Sequence, residues 1–197
     1  MPFIQIKPGT LLSPTPVVMV SCAGKDISPN IITIAWTGTV NSDPPMLSIS
    51  VRPNRYSHDI IQESGEFVVN LVDRKLMKAA DLCGVRSGRD GDKFELCSLK
   101  PEAAQGMDFA PAIAQSPVWL ACKVRQTLTL GSHTMFVGET ISIGVREELV
   151  DASGGIDFTK AGLVAYCHGE YMGLTAPEGF FGFSIAKPDV LKRRMKR

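Results

Sequence analysis

Apolar and polar residues alternate along much of the chain, which is the pattern of a strand buried on one face. Leu47, Ile49 and Val51 share one face of such a segment, while Ser48 and Ser50 occupy the other. Denser apolar segments, rich in β-branched residues, indicate more deeply buried strands over residues 16–24, 31–36 and 67–71. These patterns predict a protein built mainly from β-strands.

The two longest alternating segments are separated by a turn that contains Gly131 and Ser132. Before the turn, the apolar positions of one parity are Val118, Leu120, Cys122, Val124, Leu128 and Leu130. After it, the apolar positions that we expect on one side are Met135, Val137, Ile141, Ile143 and Val145. This arrangement predicts a long β-hairpin, and a short apolar segment over 163–166 predicts a further strand.

Two segments carry the signals of helices. The first is expected to begin at Ser57, whose hydroxyl would cap it, and to stop at Gly65. The second is expected over Arg74 to Leu82. Residues 85–93 are predicted to form a loop. The proline-containing residues 100–117 are predicted to form an ordered segment that is not an element of the core. The whole pattern predicts a mostly antiparallel barrel or sandwich with two or three covering helices.

The composition describes an ordinary globular chain of 197 residues, 44% of them hydrophobic, which suits one domain with a buried core. A formal charge of +1 offers no overall attraction to nucleic acid or to a membrane, so we expect neither as a partner. The basic run over residues 192–197 is expected to be a solvated end. We see no signal-peptide pattern and no apolar run near the ~20 residues that cross a bilayer.

The cysteines are odd in number and form no Cys-x-x-Cys motif; they are Cys22, Cys83, Cys97, Cys122 and Cys167. A disulfide scaffold and a zinc ribbon are therefore disfavoured, and we predict reduced thiols in the cytoplasm. No group of His, Asp and Glu has metal-ligand spacing, so we predict no metal.

The first candidate site lies where a predicted strand ends and a predicted helix begins, over residues 50–57. The first turn of a helix presents unpaired N–H groups and the positive end of its dipole, which together attract anions. Arg52 and Arg55 add forked cationic donors, and Tyr56 and Ser57 add hydroxyls. The segment predicts a phosphate site; the alternative is an exposed turn with two solvated arginines.

Three further segments could contact a ligand. In residues 33–45, Gly38 permits close backbone approach and Trp36 could pack on a flat ring, although Trp36 could equally lie in the core. In residues 83–94, Lys93 could close over a phosphate, while Cys83 is better interpreted as a buried or cofactor-adjacent thiol than as a nucleophile. In residues 131–139, His133 at the hairpin tip could donate to a cofactor or could be structural.

In this order the segments resemble the flavin reductase-like family, in particular its FMN-binding split-barrel branch that includes flavoredoxins. The resemblance extends over residues 14–188. Residues 33–45 end in Ser-Asp-Pro-Pro, residues 87–94 end in Asp-Lys-Phe, and residues 179–184 read Gly-Phe-Phe-Gly-Phe-Ser. Residues 131–139 are similar to a Gly-Asp-His motif of the family's NAD(P)H reductases, but Ser132 stands where Asp is typical.

The resemblance implies an antiparallel, Greek-key split β-barrel with a few peripheral helices. It implies one domain over residues 1–197, with its core at 14–188 and a basic tail at 189–197. It also implies a tightly bound FMN, with His133 as a catalytic candidate. The implied cofactor-binding residues are Thr33, Ala35, Trp36, Thr37, Gly38, Thr39, Ser50, Val51, Arg52, Arg55, Tyr56, Ser57, Asn70, Leu71, Cys83, Gly84, Ser87, Gly88 and Lys93.

Three functions remain open from the sequence. The chain could be an oxidoreductase that takes hydride from NAD(P)H, an electron carrier between redox proteins, or a flavin-binding module without turnover. The resemblance also implies a homodimer with the flavin near the interface, and it leaves room for residues 166–169 to act from the partner chain.

Overall fold

The computed structural model describes residues 1–194. The strands within that range are β1 (Thr15–Pro16), β2 (Val18–Gly24), β3 (Ile27–Ile34), β4 (Thr37–Ser42), β5 (Pro45–Val51), β6 (Glu66–Leu71), β7 (Pro101–Glu102), β8 (Ala112–Ile113), β9 (Val118–Thr129), β10 (Thr134–Val145), β11 (Val164–Cys167) and β12 (Glu170–Gly173). The α-helices are α1 (Tyr56–Ser64), α2 (Met77–Val85), α3 (Lys93–Leu96) and α4 (Pro188–Arg194). In this range no helix is long and apolar enough to cross a membrane.

The main sheet has the strand order β3-β2-β6-β9-β10-β5-β4, and all neighbouring strands are antiparallel. This confirms the predicted, mainly β fold. The sheet curls because apolar side chains from its distant strands meet in one core. The inward-facing residues include Val20, Ile32, Ile34, Leu47, Ile49, Phe67, Val69, Cys122 and Phe136. Ile60 and Ile61 of α1 pack into the same core.

Strand β2 is buried on both faces. Val18 and Val20 point into the curled sheet, whereas Val17, which precedes the strand, and Met19 join a second core with α2 and α3. The side chains that cover this outer face include Leu76, Ala80, Cys83, Phe94 and Leu99. The run of four apolar residues from Val17 to Val20 follows from burial on both sides.

A separate small sheet of order β1-β11-β12 packs against the main one, where Val164 of β11 joins the core around Met19. β11 and β12 are joined by the two-residue turn His168-Gly169, since Cys167 pairs with Glu170. Both turn residues have positive φ, 48° and 103°, which is the requirement of a type I′ hairpin turn. This turn brings Tyr166 and Tyr171 together, with ring centroids 6.0 Å apart.

The long hairpin forms as predicted, with its turn after Thr129, but the predicted apolar side of β10 is not the core side. Phe136 is fully buried, whereas Ile141 and Ile143 are exposed. Shifts in register between β9 and β10 occur after Val137 and again after Thr140. Ile141 and Ile143 therefore lie on an exposed surface, Val145 packs against a separate buried cluster, and Phe136 supplies the contact to the main core.

The predicted second helix is displaced toward the C-terminus. Asp73 accepts a hydrogen bond from the backbone N–H of Leu76 and forms a turn there, so the helix begins only at Met77. It continues past Gly84 to Val85 and ends at Arg86, which is extended. In the predicted basic tail, α4 runs to Arg194; residues 195–197 lie outside the described range.

Candidate functional site

A groove follows the seam where β3 and β5 approach each other across the curled sheet. Its volume is about 280 Å³. Its lining residues are Val17, Ile32, Thr33, Ile34, Ala35, Trp36, Ser50, Val51, Arg52, Arg55, Gly84, His133, Tyr166 and Tyr171. We call it the seam groove. The backbone N–H of Ser50 donates to the carbonyl of Trp36 at 2.9 Å and fixes the two strand ends beside it.

A smaller pocket of about 150 Å³ lies at the N-terminus of α1. Its lining residues are Asn30, Ile32, Asn54, Arg55, Tyr56, Ser57, Cys83, Gly84, Arg86, Ser87, Gly88 and Lys93. We call it the polar pocket. It shares Ile32, Arg55 and Gly84 with the seam groove, so the two spaces adjoin.

A third space, the outer cleft, continues the seam groove on its other side. It has a volume of about 530 Å³ and lies between residues 9–13 and the β11–β12 turn. It shares Ala35, Trp36 and Tyr166 with the seam groove. Among residues 1–194, no Lys, Arg, Asp or Glu lines it, unlike the polar pocket.

The helix start at the polar pocket differs from the predicted one. Arg55, not Ser57, is the N-cap residue, and no side chain caps the helix. Ser57 lies in the first turn, where its buried hydroxyl accepts a hydrogen bond of 2.7 Å from the Asn30 amide. The prediction of Ser57 as the cap was wrong because a long-range partner engages its side chain. The uncapped first turn leaves the backbone N–H groups of Tyr56 and Ser57 for another acceptor, while that of His58 donates to the Arg55 carbonyl.

The loop after α2 closes over this helix start. A Cβ at Gly88 would overlap Oδ1 of Asn30 and lie 2.7 Å from Cδ1 of Tyr56, so only glycine fits there. The Arg89 guanidinium lies 5.2 Å from the centre of the Tyr56 ring, which adds a cation–π contact. Glycine at this position therefore allows the loop to form one wall of the polar pocket.

Lys93 lies at the back of the polar pocket and is only 3% exposed. Its Nζ donates to the carbonyls of Ile31, at 2.8 Å, and Cys83, at 2.9 Å. Burial lowers the pKa of its ammonium group, and the charge of Arg55 acts in the same direction. An anion in the pocket would offset both effects.

His133 lies at the rim of the seam groove. The Ser132 hydroxyl is 2.9 Å from its Nδ1. Burial lowers the pKa of the imidazole, and the nearby charge of Arg52 lowers it further. The neutral form is therefore favoured, in which one ring nitrogen donates and the other accepts.

The structure gathers most, but not all, of the predicted site residues. Trp36 is 44% exposed and lines the groove, so the alternative of a core tryptophan was wrong. Thr37 reaches only the outer cleft, while Gly38 and Thr39 lie further along β4 and line none of the three spaces. Two other predicted residues, both in β6, also lie elsewhere.

These two residues are Asn70 and Leu71. The fully buried Asn70 amide donates to the Met19 carbonyl and accepts from the Ile113 backbone N–H. Leu71 lines none of the three spaces and lies instead in a separate pocket beside Val72 and Leu163. Both side chains thus belong to the packed structure that supports the groove and not to its lining.

Two residues of this region gave little signal in the sequence. His58 Nε2 lies 3.0 Å from the hydroxyl of Thr134 and so joins α1 to the start of β10, next to His133. Tyr171 lines the seam groove, and its hydroxyl donates to Asp81 at 3.1 Å. Tyr171 lies in β12, far along the chain from the groove-lining residues of β3, and the small sheet that places it there is not revealed by sequence spacing. Residues 166, 168 and 169, considered for the partner chain, line the spaces of their own chain.

Comparison with known proteins gives a consistent result. Residues 11–175, which include the whole lining of the seam groove and the polar pocket, match a family model described as flavin reductase like domain. The flavoredoxin of Desulfovibrio vulgaris (Miyazaki F) is 29% identical, with a TM-score of 0.86 over 94% of this chain and 100% of that chain. A flavoredoxin from Methanosarcina acetivorans is 27% identical, with a TM-score of 0.85 over 91% and 95%. A flavin reductase (NADH) from Kitasatospora aureofaciens is 28% identical over 138 residues, 69% of each protein.

Proposed function

The chain belongs to the flavin reductase-like family, and from that membership we propose that it is an FMN-binding oxidoreductase that moves reducing equivalents from a donor to an acceptor. The observation that carries the proposal is the junction of a cationic pocket with a larger, partly apolar groove through Ile32, Arg55 and Gly84. FMN has a phosphate at one end and a flat ring system at the other, and such a two-part site suits it.

The donors of the polar pocket fit a phosphate. Arg55 offers a forked cation and Lys93 a buried ammonium. The uncapped first turn of α1 adds the backbone N–H groups of Tyr56 and Ser57. Ser87 adds a hydroxyl, and Arg86 adds a cation that the sequence-based set did not include. This donor set favours a dianion over a neutral group.

The seam groove fits the ring. Ile32, Ile34 and Trp36 offer apolar surface, while the backbone of Ala35 and Trp36 offers polar groups to a ring edge. When bound, FMN supplies a centre that takes up and releases electrons or hydride, and the protein's part is to hold and orient it. Neutral His133 at the rim is placed to exchange a hydrogen bond with a bound donor or acceptor.

The reducing equivalents enter, in this proposal, from NAD(P)H or a protein donor. The outer cleft adjoins the groove and is large enough for a small donor or acceptor. Ser132, in place of the Asp that the reductase motif has, favours the second candidate, a flavoredoxin-type electron carrier without its own NAD(P)H site.

We further propose that the protein works in the cytoplasm as a homodimer with the flavin near the interface. All five cysteines are free, as a reducing compartment would keep them. Strands β4, β9 and β10 and the turn between β9 and β10 carry exposed apolar residues, namely Val40, Leu128, Leu130, Ile141 and Ile143. A second copy would bury these apolar residues. The double variant Ile143→Glu/Leu130→Glu should then be a monomer when its mass is measured by light scattering.

The visible spectrum of the purified protein tests flavin binding. We expect a flavin spectrum and release of FMN on denaturation. Anaerobic addition of NADH or NADPH then separates the two candidates: rapid bleaching supports the reductase, and no bleaching by either nucleotide supports the carrier. A colourless protein that fails to bind added FMN would contradict both.

The chain's two tryptophans give a matched check on position. FMN should quench Trp36, which lines the groove, more strongly than Trp119 in β9. Quenching should therefore persist in Trp119→Phe and largely disappear in Trp36→Phe. The reverse pattern would place the ring elsewhere.

A further inference from the structure

Two cysteine thiols meet beside the polar pocket. Sγ of Cys83, in the last turn of α2, lies 3.8 Å from Sγ of Cys97, which directly follows α3. Both thiols are free. Because disulfide-bonded sulfurs are about 2.05 Å apart, closure requires an approach of only about 1.8 Å.

We propose that Cys83 and Cys97 form a site of reversible covalent modification, at which a low-molecular-weight disulfide converts the two thiols into an intramolecular disulfide. The thiolate of Cys97 attacks the external disulfide, whose S–S bond breaks and releases one thiol. Cys83 then attacks the sulfur of Cys97, loses its proton and releases the second thiol. Two protein thiols are oxidised, and one external disulfide is reduced to two thiols.

The different exposure of the two thiols determines the order of the two steps. Cys97 is partly exposed and can meet an incoming disulfide, whereas Cys83 is fully buried. Burial, with the neighbouring Cys97 thiol, raises the pKa of Cys83 to about 12. Cys83 therefore stays protonated and unreactive until a modified Cys97 sulfur lies beside it.

Cys22 and Cys122 offer a useful contrast, because burial likewise raises the pKa of each thiol to about 12. Their sulfurs lie beside oxygen atoms, the Asn30 carbonyl at 3.9 Å and the Thr140 hydroxyl at 3.8 Å. Burial alone therefore does not make an oxidisable site, and the contact between two sulfurs distinguishes Cys83.

The modification should affect the polar pocket. Cys83 lines it, and the Cys83 carbonyl accepts a hydrogen bond from Lys93. Lys93 begins the helix that Cys97 follows, so drawing the sulfurs together shifts α2 against α3 around this lysine. In a pocket of about 150 Å³ such a shift should weaken FMN binding. This consequence rests on the proposed function, whereas disulfide formation itself does not.

The full-length protein would be incubated with oxidised glutathione, alkylated, digested and examined by mass spectrometry. We expect a peptide pair joined through Cys83 and Cys97, and the same product in the control Cys167→Ser. In Cys83→Ser, modification should stop at a glutathione adduct on Cys97; in Cys97→Ser, Cys83 should stay unmodified. A glutathione adduct on Cys97 as the final product of the unaltered protein, or no reaction there, would overturn the proposal.

The dissociation constant for FMN, measured before and after oxidation, tests the coupling. We expect oxidation to weaken binding by about fivefold, the scale of one lost hydrogen bond, and dithiothreitol to restore it. A disulfide with unchanged FMN affinity would refute the coupling. Failure of the reduced protein to bind FMN would instead refute the proposed function, and the mass spectrum would still decide the disulfide.

Discussion

Nζ of Lys93 lies 2.9 Å from the carbonyl oxygen of Cys83 and donates a hydrogen bond to it. A second bond, to Ile31, makes this one side chain a link between α3, α2 and β3. Lys93 thus holds together three walls of the polar pocket while presenting positive charge to it. In this account the Lys93 ammonium group both supports the pocket walls and binds the phosphate.

Lys93→Met should therefore lower both stability and FMN affinity. The methionine keeps the apolar stem but leaves two carbonyls without this donor, at a cost of about 1–3 kcal/mol in the free energy of unfolding. Urea unfolding without flavin measures that cost separately from binding. Lys100→Met, on the exposed segment after α3, is the matched control and should change little. Unaltered stability of Lys93→Met would show that the two hydrogen bonds contribute nothing net.

Arg55→Ala should weaken FMN binding by about 1–3 kcal/mol, the range for a hydrogen bond to a charged group. Arg52→Ala should act in the same direction. Lys78→Ala, an exposed change on α2, removes the same charge away from the pocket and should leave affinity unaltered. Fluorescence titration with FMN measures all three. Full affinity in both arginine variants would show that the phosphate of FMN does not bind at the N-terminus of α1.

His133→Ala should leave FMN content nearly normal and alter turnover. The phosphate donors lie in the polar pocket, whereas His133 lies on the rim of the seam groove. Flavin content after purification and the rate of flavin reoxidation by an added acceptor would be compared with those of the unaltered protein. Loss of FMN from a folded variant would instead make His133 a cofactor ligand.

Because of Tyr171, we expect the free energy of unfolding to fall at alkaline pH. Burial, followed by the hydrogen bond and charge of Asp81, raises the pKa of Tyr171 from 10.0 to about 12. The folded state holds this proton more tightly, so the stabilisation is fully present below pH 10 and is lost as the pH rises through 12. The difference in unfolding free energy between the unaltered protein and Tyr171→Phe should shrink across that range. A difference that stays constant would exclude this linkage.

Local patterns predicted the parts of the fold that local forces determine. Alternation identified β5, whose Leu47 and Ile49 enter the core, and Gly65 ends α1 in the left-handed conformation that glycine adopts readily. At β10 the alternation did not identify a single face, because the register shifts twice, and Ile141 and Ile143 are exposed while Val145 packs against a buried cluster. Parity alone could not distinguish a core face from an exposed apolar one.

The site was predictable where its residues are close in sequence, as at Arg55 and Lys93. The site was not predictable where a side chain forms its hydrogen bonds with residues that are distant in sequence. Asn30 turns Ser57 from a helix cap into a hydrogen-bond acceptor, and Met19 and Ile113 hold Asn70 inside the frame. These contacts depend on strand order, which the sequence pattern left open.

The most direct test of the two-part site compares FMN with riboflavin, which lacks the phosphate. Calorimetric titration of the flavin-free protein should show FMN bound at least about tenfold more tightly, the effect of one charge-assisted contact. In Arg55→Ala this preference should shrink while riboflavin affinity stays the same. Equal affinity for the two flavins in the unaltered protein, or no binding of either, would contradict the account.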